Sequence, residues 1–434
     1  MLLKRIQLGL IHVAVAMTLV PINSTLNRVM IKELAISATL VAILASLPYL
    51  FSPIQVAIGA FSDRYPLWGW RRTPYIVLGL LLCAGGMLLS PWAAFMLPVN
   101  LWAGIGLGLL AFGAWGMGYN LATVAYLSLA TELSGEKGRG RTIAIMWFMM
   151  ITSIILTSIA ISHMVDPFTA EALVRSFWIV GIAALALGLL GLLRLEPRAA
   201  NRVSDAAAEE YSWGKLFSFI LENRQAKLFF IYLTILLAAI LGQDILLEPF
   251  GGEAFGMSVR ATTRITSLWG VCVLAALLVA GVLEGRMGKR SVARAGGLGA
   301  LAGFILILVS GILTNQSVFY SGVVFLGIGT GLATVSNLSL MLDMTTPEKV
   351  GLFIGAWGMS NAVSRLLGTV LGGAVRDIVT QLSANPLMGY ILVFGIEAGL
   401  VALSLLLLQY IDVGAFRQQA QAASIVERAA IATD

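Results

Sequence analysis

Two carboxylates one helical turn apart, Asp244 and Glu248, open the densest run of ionisable groups in this 434-residue sequence. The run reads Gln243-Asp-Ile-Leu-Leu-Glu-Pro-Phe-Gly-Gly-Glu253, and Arg260 and Arg264 follow it. Residues at i and i+4 share a helix face, so the two acids point the same way. Pro249 and Gly251-Gly252 are expected to break that helix. Two kinds of chemistry fit. The acids can serve as a proton relay or ligand gate, or either can lock to Arg260 or Arg264 as an ion pair.

Further polar groups sit inside otherwise apolar runs, where each is costly and is a functional candidate by default. Asn23 and Asn27 lie one turn apart, next to Arg28. They fit a cavity lining or hydrogen bonds between helices. Arg365 needs a partner that the sequence does not name, and Glu397 is isolated. Only two histidines occur. His12 is a candidate axial ligand for a metal or pigment, against the alternative of a packed core histidine. His163 falls at a helix end. Cys83 and Cys272 make neither a disulfide framework nor a metal set. There is no P-loop, no H-E-x-x-H and no dinucleotide fingerprint in a strand–helix setting. Catalysis and ATP-driven transport have no support, and the protein is not expected to be an enzyme.

The elements that position these groups are set by composition. Hydrophobic residues make up 59% of the chain and charged residues 12%, about half the charge of a soluble domain. Apolar runs near 20 residues recur, the length that a hydrocarbon core of ~30 Å demands of a helix. Spans are expected at 8–29, 37–60, 74–94, 100–130, 142–162, 176–193, 228–247, 264–283, 294–313, 318–341, 351–375 and 388–410. With both termini inside, 21 of the 28 basic residues fall on the cytoplasmic side, which is the positive-inside rule. The net charge of +6 is therefore topological, and no nucleic-acid partner is implied. The N-terminal run has no small-residue cleavage site and reads as an uncleaved first helix.

The chain also repeats itself. Gly116-Met-Gly-Tyr-Asn-Leu-Ala-Thr-Val-Ala-Tyr-Leu-Ser-Leu129 aligns without gaps on Gly327-Ile-Gly-Thr-Gly-Leu-Ala-Thr-Val-Ser-Asn-Leu-Ser-Leu340, with 9 of 14 positions identical. The acid that follows matches as well, Glu132 with Asp343. A second pair falls between spans two and three, Gly59-x-x-x-Asp63-Arg64 then Arg71-Arg72, and between spans eight and nine, Gly281-x-x-x-Gly285-Arg286 with Glu284, Lys289 and Arg290. Asp63, Arg64, Arg71, Arg72, Glu284 and Arg286 are candidates for a conformational latch or for a plain topological anchor. These signatures resemble the major facilitator superfamily. The resemblance implies an all-α membrane protein of twelve helices in two pseudo-symmetric six-helix bundles. The first copy carries an insert, Tyr65-Pro-Leu-Trp-Gly-Trp70, and the second has Gly285 where an acid is usual. The expected domains are a bundle over 1–194, a cytoplasmic linker over 195–227, a bundle over 228–410 and a cytoplasmic tail over 411–434. Trp213, Leu216, Phe217, Ile220 and Leu221 mark an interfacial helix within the linker.

One stretch is more specific. Gln243 to Val259, continuing through Ala261-Thr-Thr-Arg264, and Arg71-Arg-Thr-Pro-Tyr-Ile76 closely resemble the bacteriochlorophyll-delivery family of the PucC and LhaA type. That resemblance implies an assembly factor for photosynthetic light-harvesting complexes, located in a bacterial inner membrane. It implies transient contact with (bacterio)chlorophyll rather than a covalently bound cofactor. The implied partners are the lipid bilayer, light-harvesting apoproteins and pigment-synthesis proteins. A proton-coupled transporter of a small molecule is the competing expectation.

Overall fold

In lipid a backbone must satisfy itself, and a helix does so within one segment. The computed structural model describes residues 2–198, 223–344 and 350–416, and these are overwhelmingly helical. Most of the expected linker, including its interfacial helix, and the tail beyond Phe416 lie outside the described residues. Among the described residues ten helical stretches are long and apolar enough to cross a membrane. Two further crossings, the second and the eleventh, complete twelve.

The first crossing is α1 (Leu2–Met17), continued through two π-helical stretches, Pro21–Leu26 and Val29–Glu33. The second is broken into α2 (Ala38–Ala45), α3 (Leu47–Leu50) and α4 (Ile54–Arg64). Pro48 and Pro53 fall at the breaks, where a residue without an N–H cannot continue the ladder. α5 (Thr73–Met96) follows. α6 (Leu101–Met164) reverses at Gly135, whose φ of 63° and ψ of 173° are open only to glycine. Its arms cross separately, and α7 (Ala170–Leu192) ends the first half. The second half contains α8 (Arg224–Gly242), a 3₁₀ turn (Gln243–Ile245), α9 (Leu247–Phe255), α10 (Val259–Met287), α11 (Lys289–Leu313), α12 (Gln316–Asp343), α13 (Val350–Ser383) and α14 (Pro386–Leu408). α13 is the crossing that carries Arg365 and Arg376.

Helix starts are sealed locally. The side chains of Asn100, Thr169, Asn223, Ser258, Asn315 and Asn385 each accept from a backbone N–H of the first turn that follows. Such caps satisfy donors that the helix leaves open.

Glycine sets the closest packing, and does so in parallel in the two halves. A Cβ at Gly86 of α5 would lie 2.3 Å from the Ala111 carbonyl oxygen of α6, and one at Gly303 of α11 would lie 2.6 Å from the Leu326 nitrogen of α12. Small residues allow backbones to approach where apolar side chains gain nothing by leaving lipid. Between the halves, the second crossing packs on α13 and the fifth on α10.

With an even number of crossings, both described ends lie on one side of the membrane, here termed the near side. The polar contacts between the described residues of the two halves gather mid-membrane and on the far side. The far side is closed.

Candidate functional site between the two halves

The far-side closure is built where helices one and seven lose regular hydrogen bonding. Glu248, at the start of α9, is 3% exposed. Its Oε1 accepts from the Ser24 hydroxyl, within the first π stretch, and from Thr266 Oγ1 at 2.5 Å. Oε2 is buried without a hydrogen-bond partner. Arg28 is 2% exposed, pairs with Glu33 at 2.9 Å and donates to the Met257 carbonyl at 3.2 Å. Its guanidinium lies against Gly252, where a Cβ would approach to 2.5 Å. Lys32 reaches Glu253 at 2.5 Å.

This geometry corrects two expectations. Pro249 and the glycine pair do not break the helix. The interruption comes earlier, at the 3₁₀ turn, and Pro249 sits in the first turn of α9, where its missing N–H breaks no bond. The helix ends at Gly256, with φ 63°. Nor does either acid pair with Arg260 or Arg264. Arg260 pairs with Asp166 across the halves, and Arg264 lies 3.0 Å from His163 and 3.4 Å from Ser162.

Asp244 turns instead toward the membrane interior. Its carboxylate lies 2.7 Å from Arg365 of α13. Arg365 also donates to the Tyr49 hydroxyl of α3 at 3.1 Å and sits 5.1 Å from that ring centre. This is the partner that the sequence left unnamed. The pair is 24% and 19% exposed, so it remains reachable. Glu397 of α14 is buried nearby, with Oε2 unpartnered, and a Cβ at Gly242 would lie 3.1 Å from its Oε1. The set joins three crossings of the second half to one of the first. It can receive the polar end of a ligand, or open as the halves move.

A second far-side latch was invisible in the sequence. Asp377 of α13 accepts from the backbone N–H groups of Ala38 (3.1 Å) and Thr39 (2.8 Å) and from the Ser37 and Thr39 hydroxyls at 2.7 Å. A carboxylate from one half thus caps a helix of the other. No local pattern around Asp377 signals this, because its partners lie 338 to 340 residues away.

The remaining candidates do not join these clusters. Asn23 and Asn27 do not meet through their side chains; Asn27 Nδ2 donates to the Asn23 carbonyl at 3.0 Å. His12 is buried with Nδ1 unpartnered and its ring 5.1 Å from that of Tyr126. Among the described residues no group of three metal-binding side chains occurs. On the near side, Arg72 pairs with Glu132 at 2.8 Å, and Glu196 accepts from the N–H groups of Arg71, Arg72 and Thr73. The equivalent acid of the second half, Asp343, pairs with Lys289 at 2.7 Å. Glu284 accepts from Ser339, while Arg64 and Arg286 are exposed. The side chain of Asp63 lies outside the described residues.

Twelve crossings in two sets of six, closed on one side by polar contacts between the sets, define a membrane protein of the major facilitator fold. A variant of the nucleoside transporter NupG superposes with a TM-score of 0.74 at 16% identity, over 94% of this chain and 99% of that one. A bacterial homolog of the human lysosomal transporter Spinster, inward-facing and unoccupied, gives 0.73 at 14% identity, over 95% and 96%. The sequence is more specific. The PUCC protein family model matches residues 25–416, and the chain belongs to that family. It is 31% identical to Protein PucC of Cereibacter sphaeroides over 93% of this chain and 91% of the relative. It is 27% identical to the Bacteriochlorophyll synthase 44.5 kDa chain of Rhodobacter capsulatus, over 91% and 92%.

Proposed function

We propose that the protein is a membrane assembly factor for photosynthetic light-harvesting complexes that handles bacteriochlorophyll for antenna apoproteins. It performs no bond chemistry of its own, and the pigment is a transient ligand. Its membrane is a bacterial inner membrane, with the near side cytoplasmic, as the basic residues indicate. The observation that supports this most is the family match across residues 25–416, which takes in both the far-side closure and the Asp244–Arg365 pair. The fold contributes a two-sided device: a closed far face and a reachable polar set at mid-depth.

The test is deletion in the native phototroph. Membranes should lose antenna absorption in the near infrared with less effect on the reaction-centre core. The tagged protein, purified in mild detergent, should carry pigment absorption and copurify with antenna polypeptides. Normal antenna levels after deletion would end this reading. A second reading, a proton-coupled transporter, draws support from one feature, the acid pair Asp244 and Glu397 beside Arg365. Proton-driven uptake of a water-soluble solute into proteoliposomes, with antenna levels unaffected, would favour it.

A further inference from the structure

On the membrane surface of the crossing between helices two and eleven lies a groove of about 320 Å³. Ile43, Leu47 and Leu50 form one wall and Leu367, Val370 and Leu371 the other. The one polar side chain of its lining, Ser46, is spent on the buried Thr369. The Thr369 hydroxyl donates to the Arg365 carbonyl at 2.7 Å, and the Ser46 hydroxyl lies 2.8 Å from Thr369 Oγ1. A polar guest has nothing to bond there. Ile43, Leu50, Leu367 and Leu371 are 44% to 58% exposed, toward the bilayer, so a guest arrives from lipid. At one end the groove meets Leu50 and Leu366, the chain neighbours of Tyr49 and Arg365.

The geometry points to a two-part site for an amphiphile: the groove holds a long hydrocarbon tail, and the Tyr49–Arg365–Asp244 set meets the polar end. Resting on the pigment reading above, we assign the groove to the isoprenoid ester tail of bacteriochlorophyll. Because its walls come from both halves, the tail is gripped or released as they move. Lipid chains are as apolar as leucine, so the groove selects by packing and not by hydrophobic drive. The quantity to read is therefore where the tail lies.

The probe is bacteriochlorophyll with a diazirine at the end of its ester tail, bound to the purified full-length protein in lipid nanodiscs. Irradiation and peptide mass spectrometry should place adducts on residues 43–50 and 366–371. Ile43→Trp and Leu367→Trp fill the groove from exposed positions and should abolish those adducts while the absorption of bound pigment persists. Leu298→Trp, on the bilayer face of α11 (50% exposed), should leave them intact. Adducts scattered over bilayer-facing leucines and unchanged by filling would show ordinary lipid contact and overturn the assignment alone. No bound pigment in the unaltered protein would overturn the pigment reading, and the tail assignment with it.

Discussion

The Arg365 guanidinium lies 2.7 Å from the Asp244 carboxylate, across the contact between α13 and the turn that ends α8. Arg365 also holds Tyr49 of the other half, so the pair tethers the halves as well as balancing a charge.

Breaking such a pair leaves one charge unmatched at mid-membrane, at a cost of about 3–5 kcal/mol. Asp244→Asn and Arg365→Gln should each lower the melting temperature of the purified protein clearly. The double variant should lose much less than the two added together, since each single change strands the other partner. Simple additivity would mean that the two groups do not act as a pair.

Glu248 is held by hydroxyls rather than by an arginine, and this changes what its replacement should do. Glu248→Gln keeps an oxygen that accepts from Ser24 and Thr266, so protein abundance should stay near normal. Glu248→Ala removes both bonds, worth about 1 kcal/mol each, and abundance by immunoblot should fall. If Glu248→Gln, at full abundance, still lowers near-infrared antenna absorption, the charge itself is used. Equal losses of abundance from both variants would contradict the hydroxyl clasp.

Gly252 is packed against a buried guanidinium that two bonds hold in place. Gly252→Ala should destabilise by about 1–3 kcal/mol, the range for overpacking. Gly281→Ala, with open space around its Cβ, is the comparison and should be neutral or slightly stabilising in the same melting assay. A neutral Gly252→Ala would show that Arg28 moves freely.

Asp377→Ala should release the start of α2. Hydrogen exchange of a peptide over residues 36–42 should quicken, because the Ala38 and Thr39 amides lose their acceptor. Exchange in the Glu196-capped start of α5 should stay unchanged. Equal protection at α2 would mean that the cap contributes little to closure.

The repeat carries its own contrast. Arg72 is 5% exposed and Glu132 39% in one pair, whereas Lys289 and Asp343 are 36% and 32% exposed in the other, so only Arg72 is a buried charge. Because it leaves the buried Arg72 cation without its carboxylate, Glu132→Gln should cost about 1–2 kcal/mol, and Asp343→Asn under about 1 kcal/mol. Equal losses in thermal unfolding would contradict this ranking.

The membrane class, the crossings and the family-specific run could be read from the residues alone, because these rest on short-range physics. A backbone in lipid must bond internally, so twenty apolar residues declare a helix wherever they occur. The turn at Gly135 and the breaks at Pro48 and Pro53 are also local, but the expected spans, 37–60 among them, did not mark them. The repeated acid was legible too, as Glu132 and Asp343 occupy matching places, though not its partners Arg72 and Lys289. Which charges meet was set by helix packing. Asp244 chose Arg365 over Arg260 and Arg264, Glu248 took hydroxyls, and Asp377, with no marking motif, became a cap for α2. The Ser24–Glu248 and Ser37–Asp377 contacts depend on how two halves, more than 200 residues apart in the chain, bring their helix ends together, and the Asp244–Arg365 pair on how α13 packs on the end of α8 within the second half. An unpaired charge in lipid must find a partner, but its spacing along the chain does not say which.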